Sequence, residues 1–205
     1  MLFVNTSFGD EILKNIIFCV TILIVTVFSM WYSEFKGISN SVVRLHIVAN
    51  SDLPCDQNLK LKVRDYVINK YSFDNTDIKS NKQDIKETLD AITEDVNSYL
   101  VENGVNYTAK SDFGSFYFPT KHYENISLPM GNYTALKIVL GEGKGENWWC
   151  VMYPPLCFAN NSYGTVSEDT LKKSLNSNQI QMISKPDYKF KTVEIINEFI
   201  HNIKN

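Results

Sequence analysis

The stretch VVRLHIVANSDLPCDQNLKLKVRDYVINKY, Val42 to Tyr71, changes its hydrophobic period halfway along. From Val42 to Ala49 it alternates. Val43, Leu45, Ile47 and Ala49 fall on one face, and Val42, Arg44, His46 and Val48 on the other, as in a strand. Ser51 or Asp52 can then cap a helix whose Pro54 stands where a missing N–H costs nothing. From Cys55 to Tyr71, Leu59, Val63, Tyr66 and Val67 form an apolar stripe at helical spacing. A strand feeding directly into a helix, early in the chain, sets up a layered fold of helices on a sheet.

Downstream, helical spacing reappears between Asp77 and Glu102 through Ile78, Ile85, Leu89, Ile92, Val96 and Leu100, and Asn103-Gly104 stops it. The texture then turns to strand. VNYTAK alternates, DFGSFYFPT is aromatic with Gly114 a candidate bulge, and YTALKIVLG and ENWWCVMY follow with turn residues between. Two further helices are predicted over about Ser167–Ile183 and Phe190–Ile203. The order β-α-α-β-β-β-α-α, with strands bunched in hairpin-like succession, predicts an α+β fold. Its sheet is mainly antiparallel and covered by helices.

Upstream, Asn15–Ser33 is 19 residues without a charge, NIIFCVTILIVTVFSMWYS, closed by Trp31 and Tyr32. A helical membrane span needs roughly 20 apolar residues, with aromatics at its ends. The segment has no polar face, which disfavours a core helix. No small-residue cleavage site follows it, so a retained signal-anchor is favoured over a cleaved signal peptide. Lys14 and Lys36 flank the span evenly and do not orient it. The predicted organisation is a short tail (1–14), the signal-anchor or signal peptide (15–33), a linker (34–41), a core domain (42–160) and a C-terminal helical extension packed on the core (161–205).

The chain has 205 residues, 44% hydrophobic and 21% charged, with net charge −3. That is ordinary globular composition, and the lack of a basic stripe argues against nucleic acid. Chemistry must be sought in GEGKGENWWCVMYPPLCF, Gly141 to Phe158. It is no phosphate loop: the Walker spacing is missing, strand follows rather than helix, and Glu142 and Glu146 would repel phosphate. Neither Cys150 nor Cys157 stands in a motif that specifies a thiol nucleophile, and His46, His122 and His201 supply no obvious base. His46 and His122 read as ordinary partly buried residues rather than ligands. Pro154-Pro155 lies midway between the two cysteines. A turn there brings Cys150 and Cys157 to disulfide range in an oxidising compartment, and zinc fits poorly. Gly141, Gly143 and Gly145 suit a mobile hairpin loop, and Trp148 and Trp149 face opposite sides of a strand. With Glu142, Lys144, Glu146 and Trp149, this loop is the candidate partner contact.

The blocks RLHIVANSD, DQNLKLKVRD, YFPTKHY, LPMGNYTALKIVLGEG and GEGKGENWWCVMYPPLCF together resemble the stage II sporulation protein R family, from about Val42 to Ala159. The resemblance implies a signalling protein exported from the forespore to the intermembrane space. There it would activate a membrane-embedded aspartic protease, stage II sporulation protein GA, which processes pro-sigma factor E in the mother cell. Residues 15–33 would hold it to the forespore membrane. The family implies no catalytic set, metal, cofactor or small-molecule substrate. Arg44, Asn50, Asp52, Asp56, Gln57 and Arg64 lie in the matching blocks. Arg44 and Arg64 are expected to pair with Asp52 or Asp65 and, with Asn50, to fix the strand–helix corner. Two rival readings stand beside this one. An exported cell-wall hydrolase would use Glu142 and Glu146 as a carboxylate pair, though a glycine-rich loop holds such a pair poorly. A structural spore-envelope protein would need no site at all.

Overall fold

The computed structural model describes residues 6–71, 77–123, 125–156 and 167–184. The chain divides into two units, Met1–Gly37 and Ile38–Asn205. The first consists of most of α1, Thr6–Asn40, which is long and apolar enough to cross a membrane over Glu11–Asn40. The predicted linker over 34–41 is therefore helical through Asn40.

The second unit is α+β. Its sheet contains β1 (Val43–Val48), β2 (Ala109–Phe118), β5 (Gly131–Leu140) and β6 (Asn147–Tyr153) in the order β2-β5-β1-β6. β1 runs parallel to β5 and antiparallel to β6, and β2 runs antiparallel to β5. The sheet is thus mixed, with antiparallel pairing in two of its three contacts. β1 is central and all six of its residues are buried. That explains why its two faces read alike in hydropathy apart from Arg44 and His46.

α2 (Pro54–Lys70), α3 (Ile78–Glu87) and α4 (Leu89–Glu102) contribute to one apolar cluster. Leu59, Val63, Val67, Ile85, Ile92, Val96 and Leu100 meet Val43, Leu45, Ile47, Leu136, Ile138 and Leu140 there. A second cluster collects the alternate strand residues Phe118, Tyr133, Ala135 and Val151. It also takes in Ile126 and Leu128 around the small β3–β4 hairpin (Lys121–His122 and Ser127–Leu128). Leu171, Ile180 and Ile183 join it from α5 (Glu168–Lys172) and α6 (Ser177–Ile183), and Leu175 from the turn between them. The alternation of strand side chains sends successive residues to these two cores.

Four local expectations need correction. The helix predicted over Asp77–Glu102 breaks at Thr88, whose hydroxyl bonds back to the Asp84 carbonyl at 2.6 Å, a contact that bends helices. Ser167–Ile183 is two helices, because Asn176 opens α6 with a capping box against Gln179. Gly114 makes no bulge: β2 and β5 pair in unbroken register from Ala109↔Leu140 to Phe118↔Gly131. The strand expected in VNYTAK begins only at Ala109, whose N–H and C=O are both taken by the Asn97 side chain. The helix predicted over Phe190–Ile203 lies outside the described residues.

Candidate functional site

The turn after β1 and the loop after β5 lock together. Asp56, in the first turn of α2, is 6% exposed and sits at their centre. Its Oδ2 accepts from Asn50 Nδ2 at 2.8 Å and Ser51 Oγ at 2.6 Å, and its Oδ1 from the Tyr107 hydroxyl at 2.7 Å. Burial raises the carboxyl pKa, but these hydrogen bonds together outweigh it and hold the group below its ordinary value. The N-cap of α2 is Leu53, with no side-chain cap bond. Ser51, expected to cap, instead accepts from Leu53 N with its hydroxyl, and Pro54 opens the helix as expected.

The glycine loop is laid directly on this corner. Asn50 Oδ1 accepts from Glu142 N at 2.9 Å, Asn50 O from Lys144 N at 3.0 Å, and Ala49 O from Gly145 N at 3.0 Å. Asp52 Oδ1 accepts from Glu146 N at 2.8 Å. Gly141 and Gly143 take φ of +55° and +63°, which favour glycine. A Cβ on Gly141 would lie 2.1 Å from Asn50 Oδ1, and one on Gly145 would lie 2.2 Å from the Ser51 carbonyl oxygen. Each of these glycines is there for close approach, so the loop is a fitted part of the corner and not a free hairpin tip. The side chains of Glu142 and Lys144 do face solvent, paired at 2.7 Å.

Asn50 and Asp52 accept from the amides of the glycine loop, and Arg64 makes the expected pair with Asp65, whereas Arg44 lies elsewhere. Arg44 is fully buried on the other face of β1, its guanidinium 4.2 Å from the Phe118 ring centroid and 4.9 Å from that of Tyr133. Its strand parity sends it away from Asp52. Arg64 pairs with Asp65 at 2.7 Å and lies 4.4 Å over the Trp148 ring. Both tryptophans are half-buried. Trp148 packs against the α2–α4 side, while Trp149 stacks on His46 at 3.7 Å. His46 is 6% exposed and donates from Nε2 to Asn147 Oδ1 at 2.7 Å. Burial chiefly pushes its pKa down to about 4, against the opposing pull of that hydrogen bond.

The residues missed in the sequence were Tyr107 and Lys60. Tyr107 lies 51 positions from Asp56 in an unremarkable run, and nothing local marks it. Lys60 sits within the helix yet is 4% exposed, donating to Gln57 Oε1 at 2.5 Å and Glu146 O at 3.0 Å. Cys150 is disulfide-bonded; its expected partner Cys157 lies outside the described residues. Cys55 is a free, exposed thiol. Among the described residues, no three His, Cys, Asp or Glu side chains are grouped to hold a metal ion. Glu146 lines a cleft with Lys60 and Lys121, whereas Glu142 is exposed and paired with Lys144.

A model of the stage II sporulation protein R family matches residues 39–163, which spans the whole sheet and the interlocked corner. The chain belongs to the stage II sporulation protein R family. A curated relative, stage II sporulation protein R of Bacillus subtilis (strain 168), is 37% identical over 149 residues. That alignment covers 71% of this chain and 66% of the relative's length. No solved structure matches the chain. The family assigns the chain a role in sporulation, and the sequence blocks that carry the resemblance now have a physical relation. ANSD provides the carbonyl, carboxylate and side-chain amide oxygens onto which GEGKGE folds, and DQNLK braces the join through Asp56 and Lys60.

Proposed function

We propose that this chain is an exported signal that activates the membrane-embedded aspartic protease stage II sporulation protein GA, so that pro-sigma factor E is processed in the mother cell. It is exported from the forespore into the intermembrane space, and residues 15–33 within α1 hold it to the forespore membrane. It works by contact rather than by catalysis. The observation that carries the reading is the family match over residues 39–163, which coincides with the interlocked core rather than with a detachable motif. Three further features support it. α1 is long and apolar enough to span a membrane. Cys150 is disulfide-bonded, a state that belongs to oxidising compartments. The corner is rigidly hydrogen-bonded yet presents Glu142, Lys144 and the Trp149 edge at the surface, which suits a contact surface.

The test is reconstitution in a host that does not sporulate. Pro-sigma factor E and the protease are expressed with the chain, intact or lacking residues 1–33, and the pro-sequence is followed on a gel. Cleavage that requires the exported chain is expected. An exported, well-expressed chain that leaves pro-sigma factor E intact would overturn the reading.

A further inference from the structure

Beside the corner lies a cleft of about 310 Å³, lined by Lys60, Lys121, Glu146, Asn147, Trp148 and Trp149 among others. Its charge is unbalanced. Lys60 is 4% exposed, and the two hydrogen bonds it makes go to uncharged acceptors, Gln57 Oε1 and the Glu146 carbonyl. An ammonium has three donors, so one is left over. Neither Lys60 nor Lys121 forms an ion pair with a described residue. Burial lowers the pKa of both, and Arg44 lowers that of Lys121 further. The Glu146 and Asp52 carboxylates attract Lys60 from beyond ion-pair distance but do not offset its burial, so an anion that reaches both lysines directly is favourable. Glu146, exposed at the rim, pairs with neither lysine.

The walls narrow the choice of anion. Two indoles border the lysines, so an apolar side chain fits next to the charge. Among the described residues β6 is also the edge strand of its sheet. Cys150–Tyr153 is buried, whereas Asn147 is exposed and Trp148 and Trp149 are half-buried. The accessible part of that edge is therefore the part beside the cleft, where an extended chain can add.

We propose that this cleft binds an extended acidic segment of a protein partner, one carboxylate accepting from Lys60 and Lys121 and an adjoining apolar side chain lying on the Trp149 indole. That the partner is the protease rests on the activator reading; the chemistry of the cleft does not. The full-length chain in detergent micelles is titrated with the capped peptide acetyl-Gly-Phe-Glu-Phe-Gly-amide, and with its Gln counterpart, while tryptophan fluorescence is recorded. The acidic peptide saturates, and both the Gln peptide and the Lys121→Gln variant bind about tenfold more weakly, the scale of one charge-assisted hydrogen bond. Lys60→Gln gives the same loss if it folds, while Lys110→Gln, on β2, binds as the parent does. Equal affinity for both peptides, unaltered binding by Lys121→Gln, or competition by inorganic phosphate as strong as by the peptide would each overturn the proposal. Peptide binding in a chain that fails to trigger processing of pro-sigma factor E would keep the cleft and overturn the activator reading. Processing that persists in Lys121→Gln, although that variant no longer binds the peptide, would keep both the cleft and the activator reading and overturn the protease as the partner of the cleft.

Discussion

Asp56 accepts three side-chain hydrogen bonds from two separated parts of the chain, Asn50-Ser51 and Tyr107, so its loss should be felt well beyond its own helix. Asp56→Asn removes the charge that strengthens all three and should cost about 2 kcal/mol, read as a Tm lower by about 4–8 °C. Gly145→Ala drives a Cβ into the Ser51 carbonyl and should cost about 1–3 kcal/mol by the usual scale of overpacking. Gly141→Ala meets a side chain instead, so pairing it with Asn50→Ala should recover about 1 kcal/mol relative to the sum of the single changes. The φ strain at Gly141 and a 3.1 Å approach to the Tyr107 ring then remain. Additive losses in that cycle would contradict the close approach. His46 predicts a pH dependence. The unfolded imidazole takes a proton below about 6.5, but the folded one, against Trp149, Phe118, Arg44 and Lys137, only below about 4. Stability should therefore fall as pH drops from 6.5 to 4, by about 3 kcal/mol in all. His46→Phe should flatten the dependence in chemical denaturation at pH 7.0 and 4.5.

At the scale of elements, the glycine loop separates the two readings of its sequence. Its amides at Glu142, Lys144, Gly145 and Glu146 donate to Asn50, Ala49 and Asp52. Hydrogen exchange should find them protected, and Asn50→Ala, which removes the side-chain acceptor but keeps the backbone carbonyl, should release the amide at Glu142 before that at Lys144. Rapid exchange in the parent would restore the mobile hairpin. The sequence carried much of the element pattern. Alternation in Val42–Val48 and the stripe of Leu59, Val63 and Val67 marked β1 and α2, because alternate residues of β1 and one face of α2 meet in the same core. It did not carry the break at Thr88, where a hydroxyl competes for a backbone carbonyl inside an otherwise helical pattern. Nor did it carry the fit of the glycine loop. Glycine permits both mobility and close approach, and only the partner, Asn50 some ninety residues away, decides which applies. Arg44 was misplaced for a related reason: a buried arginine between two rings looks, in one dimension, like any arginine near an aspartate.

At the scale of the whole molecule, the parallel pairing of β1 with β5 is what makes the site. It places the end of β1 beside the end of β5, so the ANSD turn and the GEGKGE loop emerge side by side although α2, α3, α4 and β2 intervene. The antiparallel pairing of β1 with β6 then brings Trp148 and Trp149 opposite Ile47 and His46, next to the same corner. A strand order from hairpins alone would have separated these parts. The central claim is that the assembled surface acts by binding. The most direct measurement is a titration of the detergent-solubilised full chain into vesicles holding the protease and pro-sigma factor E, with the initial rate of pro-sequence cleavage recorded. The rate is expected to rise with added chain and to level off near one chain per protease. Full activation at a ratio about a hundredfold lower, or no activation at any ratio, would contradict it.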